Sequence, residues 1–391
     1  MFAPGLPYWR LSGLYFFYFS VVGALLPFWG LYLQSLNYSP ADIGYISAVL
    51  MATKIIAPNI WGYISDRTGK RLYIVRLGCF LACACFAILL FRNSFWWMVL
   101  AVSCYSFFWN AVLAQFEVIT LDYLKLDTDL YSRIRVWGSI GFILVVVGLG
   151  ALFDWISIGY LPVVVMLFLT LIWLSTLSLH DPVSNTQHHN PPQSLSKTIF
   201  KRPVQFFLLS SFLLQASHGS YYTFYSVFLE SLDYSRTEIG GLWALGVIAE
   251  VLVFLIMHRV LRHYSLRAIL LGSLFLTVVR WWIIGCFAES LSLLILAQLL
   301  HAFSFGTAHA VAIELIRRYF VGQIQGQGQA LYSAMSFGAG GAVGALVSGI
   351  FWSQSPVLVF AISAFLAALA WLAVYIGLRG NEVEGRLSHE V

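Results

Sequence analysis

One stretch of this chain is repeated almost unchanged halfway along its length. Residues 33–44 read LQSLNYSPADIG, and residues 229–240 read LESLDYSRTEIG. Seven of these twelve positions are identical, and three more exchange an acid for its amide or for the other acid. An offset of 196 residues in a chain of 391 is far too long for one unit of a solenoid. The repeat therefore predicts a duplicated domain, so that the chain has two related halves.

The composition indicates that both halves lie in a membrane. Hydrophobic residues make up 60% of the chain, charged residues 10%, and the mean hydropathy is +0.82, whereas a soluble domain carries about 25% charged residues. The basic residues lie in short loops between apolar runs, so the net charge of +5 does not indicate nucleic-acid binding. No phosphate-binding loop of the G-x-x-x-x-G-K-[ST] type occurs, which argues against an ATP-driven pump on a single chain.

Twelve apolar runs are long enough to cross a bilayer, since a membrane-spanning helix needs about 20 residues. They lie at 9–34, 41–63, 73–91, 95–120, 134–153, 158–178, 204–230, 238–258, 266–286, 291–316, 327–352 and 356–378. We therefore predict an all-α membrane protein of twelve transmembrane helices in two pseudo-symmetric six-helix bundles. The predicted parts are an N-terminal bundle at 1–179, a cytoplasmic linker at 180–203, a C-terminal bundle at 204–379 and a cytoplasmic tail at 380–391.

Lysine and arginine are distributed unevenly over the loops between these runs. Eighteen of them fall on the side that holds the N-terminus, and only Arg92 and Arg236 fall on the opposite side. Basic residues accumulate in cytoplasmic loops. We therefore expect both termini and the linker to be cytoplasmic, and the even number of spans agrees with that orientation.

The loop after the second run carries the most specific short motif, GYISDRTGKR. Its defining residues are Gly62, Asp66, Arg67, Gly69, Lys70 and Arg71. The string resembles the G-x-x-x-D-R-x-G-[RK]-[RK] signature of the major facilitator superfamily and matches it at every defining position. We expect a cytoplasmic gate, in which Gly62 permits close helix approach and Asp66 pairs with an arginine or a helix N-terminus. The alternative is a basic loop without that role; the second half has lost the pattern.

Charged residues inside the apolar runs are the main candidates for function. Burying one in hydrocarbon costs about 2.5–3.5 kcal/mol, so each is expected to face a cavity or a partner. Lys54 and Glu250 are 196 residues apart and therefore occupy equivalent positions with opposite charge. We expect them on facing walls of one central cavity, unless each pairs locally within its own bundle.

The fourth and fifth runs resemble the lactose permease branch of the superfamily. Glu117 is followed eighteen residues later by Arg135, in the sequence SRIRVWGSIGF. The resemblance implies that both residues grip the substrate. It also places Glu250, in GVIAEV, and Arg280, in VVRWWIIG, in the acidic and basic positions of that branch.

The tenth run departs from that branch in one position. His301 resembles its proton-pathway histidine, but Ser304 stands where a proton-handling glutamate is expected. The coupled proton must then be carried by another group of the spans. The candidates are Glu250, Glu117, Glu314 and the histidines His301 and His309.

A closer resemblance covers nearly the whole chain. The segments LPFWGLYLQSL, WGSIGF, LHAFSFGTAHAVAIELI and GQALYSAMSFGAGGAVG are similar to the phenylpropionate permease group. This resemblance implies proton-linked import of small aromatic carboxylates across a bacterial inner membrane. His301 and His309 would be its paired histidines. At eight residues apart, about 80° around a helix, they would line one cavity without touching.

Aromatic residues, at 17% of the chain, can supply the rest of a binding site. Trp29 in the first run and Tyr221 in the seventh lie on repeat-related helices, which commonly line a central cavity. Their rings can sandwich an aromatic substrate while Arg135 or Arg280 holds its carboxylate. The alternative is that such rings form interfacial belts or pack between helices.

The sequence thus favours a secondary active transporter that couples protons to import of an aromatic carboxylate by alternating access. In this hypothesis, protonation of Glu250 allows the loaded carrier to reorient. A proton-coupled sugar, oligosaccharide or nucleoside symporter is the alternative, because the expected cavity offers both acidic and basic groups. We expect a monomer whose partners are protons, a small-molecule substrate and the lipid bilayer.

Other classes of protein fit less well. An enzyme would need a nucleophile with its base or a metal cluster, and His188 and His189 lie instead in the proline-rich linker. A sensor would usually add a soluble signalling domain, for which no loop is long enough. We therefore expect no enzyme activity, no cofactor and no metal.

Overall fold

The chain is almost entirely helical in a computed structural model that describes residues 6–124, 128–181, 195–322, 324–380 and 383. The first half contains α1 (Tyr8–Ser35), α2 (Pro40–Thr68), α3 (Arg71–Ala87), α4 (Phe95–Trp109), α5 (Val112–Leu124), α6 (Thr128–Trp155) and α7 (Leu161–Leu177). The second half contains α8 (Leu195–Ile199), α9 (Arg202–Ser217), α10 (Gly219–Glu230), α11 (Arg236–His263), α12 (Leu266–Phe287), α13 (Leu291–Leu299), α14 (Ala308–Tyr319), α15 (Ile324–Ser333), α16 (Gly341–Trp352) and α17 (Pro356–Gly377). Two π-helical segments, Ala302–Thr307 and Ala334–Gly340, join α13 to α14 and α15 to α16.

Eleven helical segments of the described chain are long and apolar enough to cross a membrane. They correspond to eleven of the twelve predicted runs. The remaining run, 204–230, folds as α9 and α10, which have 16 and 12 residues and meet at His218. Neither piece alone reaches the length of about 20 residues that a bilayer requires. The chain is a multi-pass, all-helical membrane protein.

The interruption between α9 and α10 coincides with a close approach to α16. A Cβ atom on Gly219 would lie 2.4 Å from the Cα of Gly344, and one on Gly344 would lie 2.2 Å from the carbonyl oxygen of Ala216. Small residues allow membrane helices to touch along their backbones. The glycines therefore fix where the broken helix crosses its neighbour.

The helices form two compact units. The first contains α1–α7 together with Tyr234–Ala244, and the second contains α8–α10 and the chain from Leu245 on. In the first, α1 packs against α6 and α7, and α3 packs against α4 and α7. In the second, α17 packs against α9 and α12, and α10 packs against α16.

The two copies of the repeat have the same local structure. Asn37 and Asp233 both adopt a left-handed backbone, with φ of 62° and 63°, a conformation in which Asn and Asp are enriched. Two residues later a serine caps the next helix, and the acid three residues further accepts a hydrogen bond from the backbone N–H of that serine. These pairs are Ser39 with Asp42 and Ser235 with Glu238. The repeat is therefore a tight turn with a helix start.

Most of the predicted linker lies outside the described residues. Residues 182–194, which include His188 and His189, belong to that part, and so does most of the predicted tail at 380–391. Within 180–203, the structure shows α8 and the beginning of α9.

Candidate functional site

Interrupted helices position the functional side chains of both units. In the first unit, α4 ends at Trp109 and α5 begins at Val112, and the Asn110 side chain between them donates a hydrogen bond to the Thr53 hydroxyl (2.9 Å). In the second unit the corresponding interruption is the π-helix that begins after His301. Such π-turns inside α-helices occur frequently at functional sites.

Arg280 of α12 is the central basic group of the second unit and is fully buried. Its Nε donates to the carbonyl oxygen of Ala297 (3.0 Å), and its Nη1 donates to the Ser304 hydroxyl (3.1 Å). Nη2 has no hydrogen-bond partner among the described residues. Ser304, which replaces the expected glutamate, thus helps to hold the arginine.

Two aromatic rings cover this guanidinium group. Its Cζ lies 4.3 Å from the ring centre of Tyr221 and 4.5 Å from that of Trp281. The Tyr221 hydroxyl donates to Oε1 of Gln298 (3.0 Å). In the described part of the chain, no carboxylate lies within ion-pair distance of Arg280. The cation is therefore oriented by neutral groups and retains its capacity for an anion.

Glu250 of α11 lies beside His301. Oε2 of Glu250 and Nε2 of His301 are 3.9 Å apart, and their side chains are 17% and 8% exposed. Nδ1 of His301 is buried without a hydrogen-bond partner in the described structure. A Cβ atom on Gly306 would lie 3.0 Å from Cγ of Glu250, so the π-helix leaves room for this carboxylate. At this separation the two groups do not form a hydrogen bond, but the charge of one acts on the other.

His301 and His309 belong to one row of stacked rings. Phe305 lies between them, with ring-centre separations of 5.7 and 6.0 Å and interplanar angles of 15° and 8°. His309 continues the row through Nδ1, which lies 3.3 Å from the Tyr332 hydroxyl. The histidines are thus linked through an aromatic ring.

Two further polar groups belong to this cluster: His218, which is a titratable residue inside an apolar run, and Gln298, which the sequence did not single out. His218, at the α9–α10 break, donates from Nδ1 to the carbonyl oxygen of Leu214 (2.8 Å), which leaves Nε2 as a buried acceptor without a partner. Its ring stands perpendicular to Trp281 at 4.9 Å. Nε2 of Gln298 is also buried and unpaired in the described chain. A polar residue inside an apolar run was the available signal for both.

Arg135 of α6 is the basic candidate of the first unit that lies in a similar environment. Its Cζ lies 4.2 Å from the ring centre of Phe19 and 5.3 Å from that of Tyr15. No ion pair within 4.0 Å joins Arg135 to Glu117 among the described residues. Arg135 therefore lies on aromatic faces, as Arg280 does.

Lys54 lies midway along α2 and has no acidic partner among the residues that the structure describes. Its Nζ contacts Sδ of Met51 at 3.5 Å, and no carboxylate of the described chain pairs with it. Trp29 of α1 is 6% exposed and packs beside Tyr32 and Phe86, at ring-centre distances of 5.6 and 6.5 Å. Its Nε1 is buried without a partner among the described residues.

The GYISDRTGKR motif forms a local network at the end of α2. Asp66 pairs with Arg71 at 2.7 Å, and Arg71 also donates to Oε1 of Gln115 on α5 (3.0 Å). Arg67 donates to the Tyr63 hydroxyl (2.9 Å). Arg71, at the start of α3, therefore ties that helix to α2 and α5, whereas Arg67 bonds within α2.

The glycines of this motif differ from each other in role. Gly69 has φ of +66° and ends α2, and the exposed Lys70 follows it. A Cβ atom on Gly62 would meet no atom within 4 Å. The expectation that Gly62 permits a close helix approach is thus wrong for this structure, because no atom of the described residues comes close to that face.

Glu314 lies in a separate ion-pair network near the end of α14. Its two carboxylate oxygens accept hydrogen bonds from Arg317 (2.8 Å) and Arg318 (2.7 Å), three and four residues further along the helix. Its ion pairs with these two arginines stabilise the last turns of α14. It does not join the Glu250–His301 pair.

Comparison with known proteins shows the family. Residues 8–362 match the sequence model of the MFS_1 like family. A probable 3-phenylpropionic acid transporter of Escherichia coli K12 is 28% identical over 92% of this chain and 94% of its own length. A maltose permease of Geobacillus stearothermophilus is 24% identical over 88% of this chain and 89% of its own.

Solved structures show the same fold. The nucleoside transporter NupG superposes with a TM-score of 0.84 at 19% identity, over 95% of this chain and all of that one. A bacterial homologue of the lysosomal transporter Spinster superposes with a TM-score of 0.70 at 14% identity, over 98% and 99% of the two chains. These relatives and structural neighbours are transporters and not enzymes. Because the family match covers most of its length, the chain belongs to the MFS_1 like family.

Proposed function

We propose that the chain is a secondary active transporter that couples the import of a small aromatic carboxylate to protons. The observation that carries this proposal is the environment of Arg280. A fully buried arginine, held by Ala297 and Ser304 but paired with no carboxylate of the described chain, is costly in a membrane. A substrate carboxylate would supply the missing charge through a bidentate contact.

The aromatic surroundings of both arginines favour an aryl substrate. Arg280 lies over Tyr221 and Trp281, and Arg135 lies over Phe19 and Tyr15. These rings can stack on an aromatic ring while the guanidinium group binds the acid. The relative named as a probable 3-phenylpropionic acid transporter supports this substrate class. Lys54 and Trp29 are further substrate-binding candidates, and Glu117 positions the substrate beside Arg135.

We assign the coupled proton to Glu250, with His301 as a titratable neighbour 3.9 Å away. Protonation neutralises the carboxylate and removes the cost of moving a charge through the bilayer, so the loaded carrier can reorient. His309, which stacks on the other face of Phe305, is a further titratable candidate for the coupling group. Glu314 is left out of the coupling group because two arginines hold it.

The proposed architecture follows from the broken helix. If α9 and α10 cross the membrane together, the chain has twelve spans in two six-helix bundles, and alternating access can operate between them. We propose a monomer in a bacterial inner membrane, with both termini cytoplasmic. The GYISDRTGKR network would then lie on the cytoplasmic side.

A neutral solute is the second candidate. The nucleoside permease NupG of Escherichia coli is 22% identical over 94% of this chain, and its solved structure is similar. Glu117 and Glu250 can accept hydrogen bonds from hydroxyl groups of such a substrate. A sugar or nucleoside symporter would therefore use the same cluster with its acidic groups in the main role.

Proton uptake by proteoliposomes that contain the purified protein tests the proposal. We expect 3-phenylpropionate to alkalinise the external medium, and a saturated-ring analogue, 3-cyclohexylpropionate, to do so more weakly. The Arg135→Lys variant should raise the half-saturating concentration about tenfold, since an ammonium group cannot form the planar double contact. A response to maltose or a nucleoside alone would favour the second candidate. Solute uptake without proton movement would overturn symport.

A further inference from the structure

The first turn of α11 is held on the last turn of α6 by one carboxylate. Oδ1 of Asp154 accepts a hydrogen bond from the backbone N–H of Arg236 (2.8 Å). Oδ2 accepts two more from Thr237, one from its backbone N–H (3.1 Å) and one from its hydroxyl (2.5 Å). A carboxylate at a helix N-terminus also interacts favourably with the helix dipole. Asp154 therefore caps α11 from another helix.

The two backbones touch next to this carboxylate. A Cβ atom on Gly150 would lie 2.5 Å from the carbonyl oxygen of Arg236, and one on Gly240 would lie 2.5 Å from the carbonyl oxygen of Val146. The Arg236 side chain closes the contact by donating to the carbonyl oxygen of Phe153 (2.8 Å). All of these residues belong to the first compact unit.

The repeat shows that this contact is special to the second copy. Ten of the twelve repeat positions are identical or exchange related acids and amides. The other two are Pro40 and Ala41 in the first copy, against Arg236 and Thr237 in the second. Proline has no N–H to donate, and alanine has no hydroxyl group. The copies therefore differ in kind only at the two positions that contact Asp154.

We propose that Asp154 is a positioning residue for transport, which holds the start of α11 in one state of the carrier and releases it in another. The proposal rests on the proposed function, because α11 also carries Glu250. The contact suits a reversible role. Asp154 is exposed, and water can replace its hydrogen bonds when the helices part.

Transport kinetics in proteoliposomes give the first test. Asp154→Asn keeps the shape of the side chain but loses its charge and one acceptor oxygen. We expect the maximal rate of proton-driven uptake to fall by about fivefold or more, with the half-saturating concentration changed by less than about twofold. Thr237→Val should cause a smaller loss. The double variant should be no slower than Asp154→Asn, because both changes remove the same interaction.

A matched control separates positioning from helix stability. Ser235→Ala removes the cap of α11 at the same turn but leaves the Asp154 contact intact, so it should keep the wild-type rate. Asp154→Glu, which retains the charge, should recover part of the rate that Asp154→Asn loses. An unchanged rate in Asp154→Asn, or an equal loss in Ser235→Ala, would overturn the proposal.

Hydrogen–deuterium exchange of the backbone amides in residues 234–244 provides a measurement that needs no substrate. Asp154→Asn should speed exchange of the Arg236 and Thr237 amides, whereas unchanged exchange would refute the contact itself. If the wild-type protein transports none of the solutes tested, the proposed function fails. The exchange result would still decide whether Asp154 holds α11.

Discussion

The same position of the two repeats carries Lys54 in α2 and Glu250 in α11, yet the two charges have different surroundings. Nζ of Lys54 contacts the sulfur of Met51 and no carboxylate of the described chain. Glu250 lies 3.9 Å from His301. The acid thus has a titratable neighbour within its own unit, whereas the lysine has capacity for an anion from outside. The two repeat-related positions therefore differ in the chemistry that they offer.

The helix that packs behind each charge shows the same division. Asn110 and Gly306 are also 196 residues apart, and each lies in the interruption of its helix. Asn110 bonds to Thr53, next to Lys54, whereas Gly306 faces Cγ of Glu250. One interruption therefore fastens two helices by a hydrogen bond, and the other leaves space beside a carboxylate.

The two helices also carry equivalent pairs of stacked aromatic rings. Tyr105 and Trp109 stack with ring centres 6.1 Å apart, and the equivalent His301 and Phe305 stack at 5.7 Å. The arrangement is retained, but a histidine replaces the tyrosine. Of these equivalent rings, only the histidine beside Glu250 carries a nitrogen that can accept a proton.

Replacing Glu250 should have the largest effect on transport. Glu250→Gln keeps the size of the side chain but cannot ionise, so we expect proton-driven accumulation to fall by about a hundredfold or more. Exchange of labelled for unlabelled substrate needs no net proton movement and should persist. Both are measured in the same proteoliposomes, with and without an imposed pH gradient.

Glu314→Gln is the matched control, because its carboxylate is held by Arg317 and Arg318. This variant should still accumulate substrate when a gradient is imposed. If Glu250→Gln accumulates substrate normally, or if both variants lose accumulation equally, Glu250 has no special part in coupling.

Removing the charge of Lys54 should have a smaller effect of a different kind. Lys54→Met is expected to raise the half-saturating concentration of an aromatic carboxylate about tenfold, the loss of one modest ionic contact. Coupling to protons should remain, since Glu250 is intact. Uptake kinetics at several substrate concentrations measure the change, and Lys197→Met, on α8, is the control. Loss of coupling with unchanged affinity would contradict the division of roles.

The sequence predicted the membrane segments well because apolar runs of 20 residues have few other solutions. It missed the break at His218, since hydropathy does not report where a glycine lets two backbones touch. The sequence also did not predict the π-helix after His301, because apolar residues occur on every side of that helix. Arg280 and Glu250 were found by their charge, which is rare inside a span.

Their contacts could not be predicted in the same way. Gln298 pairs with Tyr221 across 77 positions, and Ser304 holds Arg280 across 24. Such pairs follow from tertiary packing. Gly62 shows the opposite case, in which the motif was found but the physical reason assigned to it was wrong.

Filling the space beside Glu250 should have the smallest effect on transport, and it tests whether that space matters to the carboxylate. Gly306→Ala places a Cβ atom 3.0 Å from Cγ of Glu250, so that side chain must shift by a few tenths of an ångström and its separation from His301 must change. We expect the proton concentration for half-maximal uptake to change about two- to threefold, with substrate affinity intact. Gly272→Ala, where a Cβ atom meets nothing within 4 Å, is the control. An identical pH profile for both variants would show that the space beside Glu250 is irrelevant to its proton.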